Sequence, residues 1–393
     1  MKPLTVMLVA GEASGDNLGA GLAAALKRRL GDGVRFVGVG GSRMAAEGVQ
    51  SPFDIAELSI LGFFDAVLAA GKVRRRIAET VELAAREKPD VAVLIDSWGF
   101  TIRVAEALRR RLSDLPLVKY VGPQVWASRP GRARVLARSV DHLLAINSFD
   151  VDWFEKAGLP TTFVGNPALN TDFSDADGRR IRAEIGAGPD DPVLLVLPGS
   201  RPAEVTRLAP VFEDALRRLK QTRPELKLVV VGAPTVRDQV RAWVAGFQFR
   251  AHLVEDEAGK RDAMKAATVA LACSGTVSTE LALAGAPMVI AYRLGPMTYA
   301  LARLLVKTDW ITLLNIAARE TIAPEFVQDD ASPQALADAV AARLDDPALR
   351  QDQVARQFAA LDLMGRGQGD PSEKAADTVL RILKERGSLP ALP

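Results

Sequence analysis

VLLVLPGSRPAEV, residues 193–205, holds the fold in one stretch. Its run of apolar residues, with no polar alternation, is what a strand covered on both faces looks like. Gly199 and Ser200 then turn the chain, and Arg201 sets a permanently charged, bidentate donor at the start of a helix. A buried strand passing through a glycine turn into a helix is one βα unit of a parallel sheet.

The same rhythm runs outward in both directions. Upstream lie LTVMLVA (4–10), VRFVGVG (34–40), VAVLID (91–96), LVKYV (117–121) and HLLAI (142–146). Downstream lie LKLVVVG (226–232), HLVED (252–256), TVALAC (268–273) and MVIAY (288–292). Helical patterns separate these runs, and Pro167 with the polar stretch 171–180 interrupts them. The expected fold is therefore α/β of GT-B type: two doubly wound, Rossmann-like domains facing across a cleft. We divide the chain into an acceptor- and membrane-facing domain (1–170), a UDP-sugar domain (171–364) and a helical tail (365–393). The domain boundary falls near 166–176, and Gly365, Gly367 and Gly369 form a joint before the last amphipathic helix.

Composition narrows the function classes. Fifty basic against 48 acidic residues leave a formal charge of +2, so no nucleic-acid partner is expected and anion recognition must be local. One cysteine, Cys273, excludes an intramolecular disulfide framework, and two scattered histidines, His142 and His252, cannot build a zinc site. No signal peptide is expected at the N-terminus, and the weakly charged stretch 266–292 is too broken by Gly and Pro to span a membrane.

Three strand-to-helix turns suit a phosphate, because helix N-termini offer unpaired N–H groups. GEASGD (11–16) brings Ser14 as a donor between Gly11 and Gly15, ahead of a helix expected near Asn17 with Asp16 as its alternative cap. LPGSRPAE (197–204) brings Gly199, Ser200 and Arg201, unless Arg201 only pairs with Glu204. CSGTVSTE (273–280) brings Ser274, Gly275 and Thr276, with Glu280 one turn later to accept ribose hydroxyls. Two of the three lie in the second half, so a nucleotide is expected mainly there.

Together VAGEASGD (9–16), RFVGVGG (35–41), LID (94–96), YVGPQVWA (120–127), LPGSRPAEV (197–205), SGTVSTE (274–280), PMVIAYR (287–293), LVKTDW (305–310) and LLN (313–315) resemble the lipid-A-disaccharide synthase family of GT-B glycosyltransferases. The resemblance implies transfer of 2,3-diacylglucosamine from UDP to the 6-hydroxyl of 2,3-diacylglucosamine 1-phosphate. It implies Asp96 as general base, Asn315 as an assistant at the reaction centre, and Arg201 and Glu280 in the donor site. Arg201 and helix N-termini would offset the charge of departing UDP, so neither a metal nor a cofactor is expected. Departures gather on the acceptor side. Ser97-Trp98-Gly99-Phe100 follows Asp96 where the family usually has Pro-Asp-Phe-Asn, Ser128 replaces a tryptophan before Arg129, Asn166 replaces a histidine, and Leu314 replaces a proline. An altered acceptor is the expectation.

Lipid substrates imply contact with the cytoplasmic face of the inner membrane. Leu61, Phe63, Phe64, Val67 and Leu68, followed by Lys72, Arg74, Arg75 and Arg76, suit an interfacial helix, though an ordinary core-packed helix looks the same. Phe63, Phe64, Val67, Leu68, Arg74, Arg75 and Arg129 are the acceptor and membrane candidates. The resemblance also leaves room for a homodimer. Competing readings are a UDP-N-acetylglucosamine 2-epimerase-like isomerase, another GT-B transferase, and a non-catalytic nucleotide-binding module. A serine hydrolase is not expected, because GEASGD lacks the G-x-S-x-G spacing and neither histidine has a clear partnering context.

Overall fold

In a computed structural model the described residues are 3–58, 65–296, 298, 299, 303 and 308–387, the side chains of 65–70 excepted. They form two compact units: one of residues 1–167 with 368–393, the other of residues 168–367.

The first unit is built on a parallel sheet of β1 (Leu4–Ala10), β2 (Val34–Val39), β3 (Val91–Ile95), β4 (Leu117–Tyr120), β5 (His142–Ala145) and β6 (Thr161–Phe163). Their spatial order is β2-β1-β3-β4-β5-β6. β1 and β3 are buried at every residue, which is why their sequences are apolar without alternation. Alternate residues feed two cores. Met7, Val9, Leu94 and Leu117 pack on one face, while Val6, Leu8, Ile95 and Tyr120 pack on the other. The second face is covered by the helix Ala13–Leu30 and by the last helix, Pro371–Glu385, through Ala375, Ala376, Val379 and Leu383. Arg29 reinforces that pairing with ion pairs to Glu373 and, at 2.8 Å, to Asp377.

The second unit has β7 (Val193–Leu197), β8 (Lys227–Val231), β9 (His252–Val254), β10 (Val269–Cys273), β11 (Met288–Tyr292) and β12 (Glu325–Val327). The order is β12-β11-β10-β7-β8-β9, again all parallel. Both sheets are the Rossmann-like, doubly wound sheets of a GT-B fold. The strand runs read from sequence match ten of these strands within a residue or two, while the short edge strands β6 and β12 carry no such run. No helix among the described residues is long and apolar enough to cross a membrane.

One glycine shows how tightly β1 and β2 are laid together. Gly38 has φ 149°, and a Cβ added to it would lie 1.8 Å from the Leu8 carbonyl oxygen, a backbone atom that cannot swing away. Gly38→Ala should therefore cost about 3 kcal/mol of stability. A urea midpoint equal to wild type would show that β2 tolerates the added carbon.

Candidate functional site

Each sheet reverses its strand order once beside its first strand, at β1/β3 and at β7/β10. At such a point neighbouring crossovers leave on opposite faces, opening a crevice at the carboxyl ends of the strands. All three phosphate-type turns read from sequence lie at these two points.

In the first unit Ala10 is in register with Ile95, so the GEASGD turn and Asp96 leave the sheet side by side. A Cβ on Gly15 would come within 3.3 Å of the Ile95 carbonyl oxygen, and one on Gly11 within 2.8 Å of Ser97 Oγ. That close approach lets Ser14 Oγ donate to Asp96 Oδ2 at 2.7 Å. Ser14, grouped by sequence with the donor residues, thus belongs to the Asp96 constellation in this unit. The helix begins at Ala13 rather than near Asn17, and Asp16 does not cap it. Instead the buried Asp16 carboxylate accepts the N–H groups of Gly41, Arg43 and Met44 at 2.8–3.0 Å, starting the helix Ser42–Ala46.

Asp96 and Ser97 both adopt left-handed backbone, φ 49° and 40°. Two such residues in a row are costly for side chains with a Cβ and mark a turn held by its surroundings. A proline at Ser97, its ring fixing φ near −65°, could not follow this turn. The Asp96 carbonyl is held by Thr101 Oγ1 at 2.7 Å and by the ammonium of Lys119. Lys119 comes from β4, is 2% exposed, and also donates to Thr101 Oγ1 at 2.8 Å. Burial pushes its pKa down to about 7, against the pull of the Asp96 and Glu12 carboxylates.

At the ends of β4 and β5 lies a second buried carboxylate that sequence reading passed over. Asp150 accepts from Trp126 Nε1 at 2.9 Å and Asn147 Nδ2 at 3.0 Å. Burial pushes its pKa up to about 6, although these hydrogen bonds oppose the shift. The exposed Arg129, also left-handed at φ 51°, follows Trp126 on the same loop. Phe63 and Phe64 lie outside the described residues, as do the side chains of Val67 and Leu68. Of the basic run, Arg76 and Lys72 pair with Glu57 and Arg75 with Glu79, while Arg74 is exposed on the helix Asp65–Glu87.

In the second unit one pocket is lined by Gly199, Ser200 and Glu204 after β7 and by 273–277 with Glu280 after β10. Ser274, Gly275 and Thr276 lead into the helix Val277–Ala284, which no side chain caps, so its N-terminus faces the pocket open. The LPGSR turn differs from expectation. Gly199, at φ 127°, lets Glu204 fold back, and the Glu204 carboxylate accepts the N–H groups of Ser200 and Arg201 at 3.1 and 3.2 Å. Arg201 Nη1 donates to the same carboxylate at 3.0 Å, although its side chain stays 76% exposed. The Glu204 carboxylate therefore closes the helix start that was expected to hold phosphate. Glu280 is not free either: Lys260 Nζ lies 2.8 Å from its Oε2.

Asn315 lies in the interior of the second unit. It is fully buried, its Nδ2 donating to Ala323 O and Glu325 Oε1 and its Oδ1 accepting from Ile322 and Ala323 N–H, all within 3.0 Å. With each polar atom satisfied internally, it clamps the approach to β12.

The chain matches a family model described as lipid-A-disaccharide synthetase over residues 6–379. It is 42% identical over 386 residues to lipid-A-disaccharide synthase of Rhodospirillum centenum, covering 98% of this chain and 96% of that one. Among solved structures it resembles UDP-GlcNAc 2-epimerase from Neisseria meningitidis bound to UDP-GlcNAc, at TM-score 0.62 and 12% identity, covering 97% of this chain and 100% of that one. A glycosyltransferase from Rickettsia africae gives TM-score 0.59 at 11% identity, with 98% and 99% covered. At such identities the structural likenesses establish the fold alone.

The Asp150 shift has a measurable sign. Because its folded pKa is raised, Asp150 favours folding below the unfolded value, near 4, and that contribution is lost as pH rises through about 6. Asp150→Asn stays neutral throughout. Its stability relative to wild type should rise by roughly 2–3 kcal/mol from pH 4 to pH 8. Urea titrations giving a difference independent of pH would contradict this.

Proposed function

The chain belongs to the lipid-A-disaccharide synthase family, and from that membership we propose an inverting glycosyltransferase that moves 2,3-diacylglucosamine from UDP to the 6-hydroxyl of 2,3-diacylglucosamine 1-phosphate. The products are the β-1,6-linked disaccharide and UDP. The observation that carries the mechanism is the 2.7 Å hydrogen bond from Ser14 Oγ to Asp96 Oδ2. It engages one carboxylate oxygen, and the other carries no hydrogen bond among the described residues. That second oxygen is the base that takes the acceptor's proton as the 6-oxygen attacks the sugar's anomeric carbon.

The leaving diphosphate needs positive charge as its bond to the sugar breaks. The uncapped N-terminus of Val277–Ala284 and the exposed Arg201 guanidinium are suited to supply it. Glu280, held by Lys260, is suited to accept ribose hydroxyls through its second oxygen. Ser200 and Gly199 complete the wall of the same pocket. In this reading Asn315 acts at a distance, fixing the segment that leads into β12.

Both substrates carry acyl chains, so the reading puts the enzyme on the cytoplasmic face of the inner membrane as a peripheral protein. Exposed Arg74 and Arg75 on one helix support this, as anionic lipid attracts such a cluster. Arg129 is assigned to the acceptor side by the same reading. An epimerase shares the fold but needs no acceptor, and near full-length 42% identity to a named synthase favours transfer.

The decisive assay follows UDP release by the purified protein with UDP-2,3-diacylglucosamine. Release should require 2,3-diacylglucosamine 1-phosphate, and Asp96→Asn should lower kcat about 10²- to 10⁴-fold while UDP still binds. Release without acceptor would instead indicate an isomerase or hydrolase, and wild-type turnover by Asp96→Asn would remove Asp96 from the reaction.

A further inference from the structure

We propose that Lys119 is the positioning residue of the Asp96 carboxylate: its buried ammonium pins the left-handed turn that aims the base. This rests on the reading of Asp96 as base and adds the device that holds it.

A lysine on a central strand between Val118 and Tyr120 occupies a place normally given to an apolar side chain, since burying an ammonium is costly. Here it is fully enclosed by protein, and what it meets is the backbone of the strained turn. The ammonium donates to the Asp96 carbonyl and, at 2.8 Å, to Thr101 Oγ1. The Thr101 hydroxyl, so engaged as acceptor, turns its own proton to the Asp96 carbonyl at 2.7 Å. One carbonyl thus receives two donors, and it belongs to the residue whose φ is 49°. From the other side the Asp96 N–H is tied to the Tyr120 carbonyl at 2.9 Å. β4 therefore holds Asp96 before and after its Cα, by a backbone bond and by the Lys119 side chain.

Three features exclude a packing role alone. A methionine would fill the same space without the desolvation cost that burial imposes on this amine. Lys119 makes no ion pair within 4 Å among the described residues, so its hydrogen bonds go to the turn and not to a carboxylate. Both groups that receive it belong to the turn-and-helix start spanning Asp96 to Thr101. Asp96 and Glu12 are the acidic groups near enough to favour its charge, and both border the crevice at β1/β3.

Without the ammonium, the turn relaxes and the carboxylate moves from its working direction. Misplacement on the order of 1 Å lowers a rate by about 10²-fold while leaving substrate affinity largely intact. The test compares Lys119→Met, Thr101→Val, Thr101→Ser and Asp96→Asn in the full-length protein, with kcat and both KM values normalised to the fraction that binds UDP. The expected result is a 10- to 100-fold fall in kcat for Lys119→Met and Thr101→Val with KM values within about threefold of wild type. Thr101→Ser, which keeps the hydroxyl, should recover most of kcat. Should Lys119→Met fail to fold, the Thr101 pair decides, because valine matches threonine in shape. The proposal is overturned if folded Lys119→Met keeps wild-type kcat, or if Thr101→Val and Thr101→Ser turn over equally. An active Asp96→Asn would instead overturn the base assignment on which it rests.

Discussion

The Asp96 constellation and the pocket of the second unit depend on one constraint: a parallel sheet whose strand order reverses must let its crossovers diverge. The divergence occurs beside β1 in one unit and beside β7 in the other, and the backbone there is forced into sharp turns. Glycine meets that demand at Gly11, Gly15 and Gly199, each packed so that a Cβ would press on a neighbour. Asp96 and Ser97 meet it without glycine, and the strain is offset by hydrogen bonds from Thr101 and Lys119. The carboxylate is thereby set at the end of a rigid strand rather than on a compliant loop.

The two helix starts in the second unit divide a task that sequence had assigned to both. The one after β10 is left without a cap, and the one after β7 is closed by Glu204. An anion that takes the Ser200 and Arg201 amides must first displace that carboxylate, so it gains only the difference between two anion interactions. The open start offers its dipole without such an exchange. Sequence spacing could not separate the two, because Glu204 and Glu280 both stand five residues after their glycines, yet Glu204 folds back onto its turn at Gly199, φ 127°, while Glu280 pairs with Lys260.

Where a structural feature was local and apolar, the sequence made it plain. The nine strands of four or more residues and the glycine turns were legible because burial on both faces leaves little freedom of composition, and the three-residue β9 was read within HLVED. The edge strands β6, TTF, and β12, EFV, were not, since a strand paired on one side and half-exposed needs no apolar run. Long-range polar partnerships were also hidden. Asp16 looks like the cap of its own helix yet serves residues 41–44, and Lys260 meets Glu280 from twenty positions away. Lys119 went unremarked within LVKYV, and only its register beside β3 shows what it reaches. Asn315 entered through resemblance, which transfers residue identity, while its burial and internal partners are seen only in the fold.

The last helix gives the chain an order of assembly. Residues 168–367 form a contiguous unit and can close their core as soon as they leave the ribosome. The first unit is discontinuous, and its Val6, Leu8 and Ile95 face awaits Ala375, Val379 and Leu383 from the far end of the chain. Throughout synthesis of the second unit, that apolar face lacks its final cover. The half of the protein made first is therefore the half completed last, and it is the one exposed longest to aggregation and to chaperones.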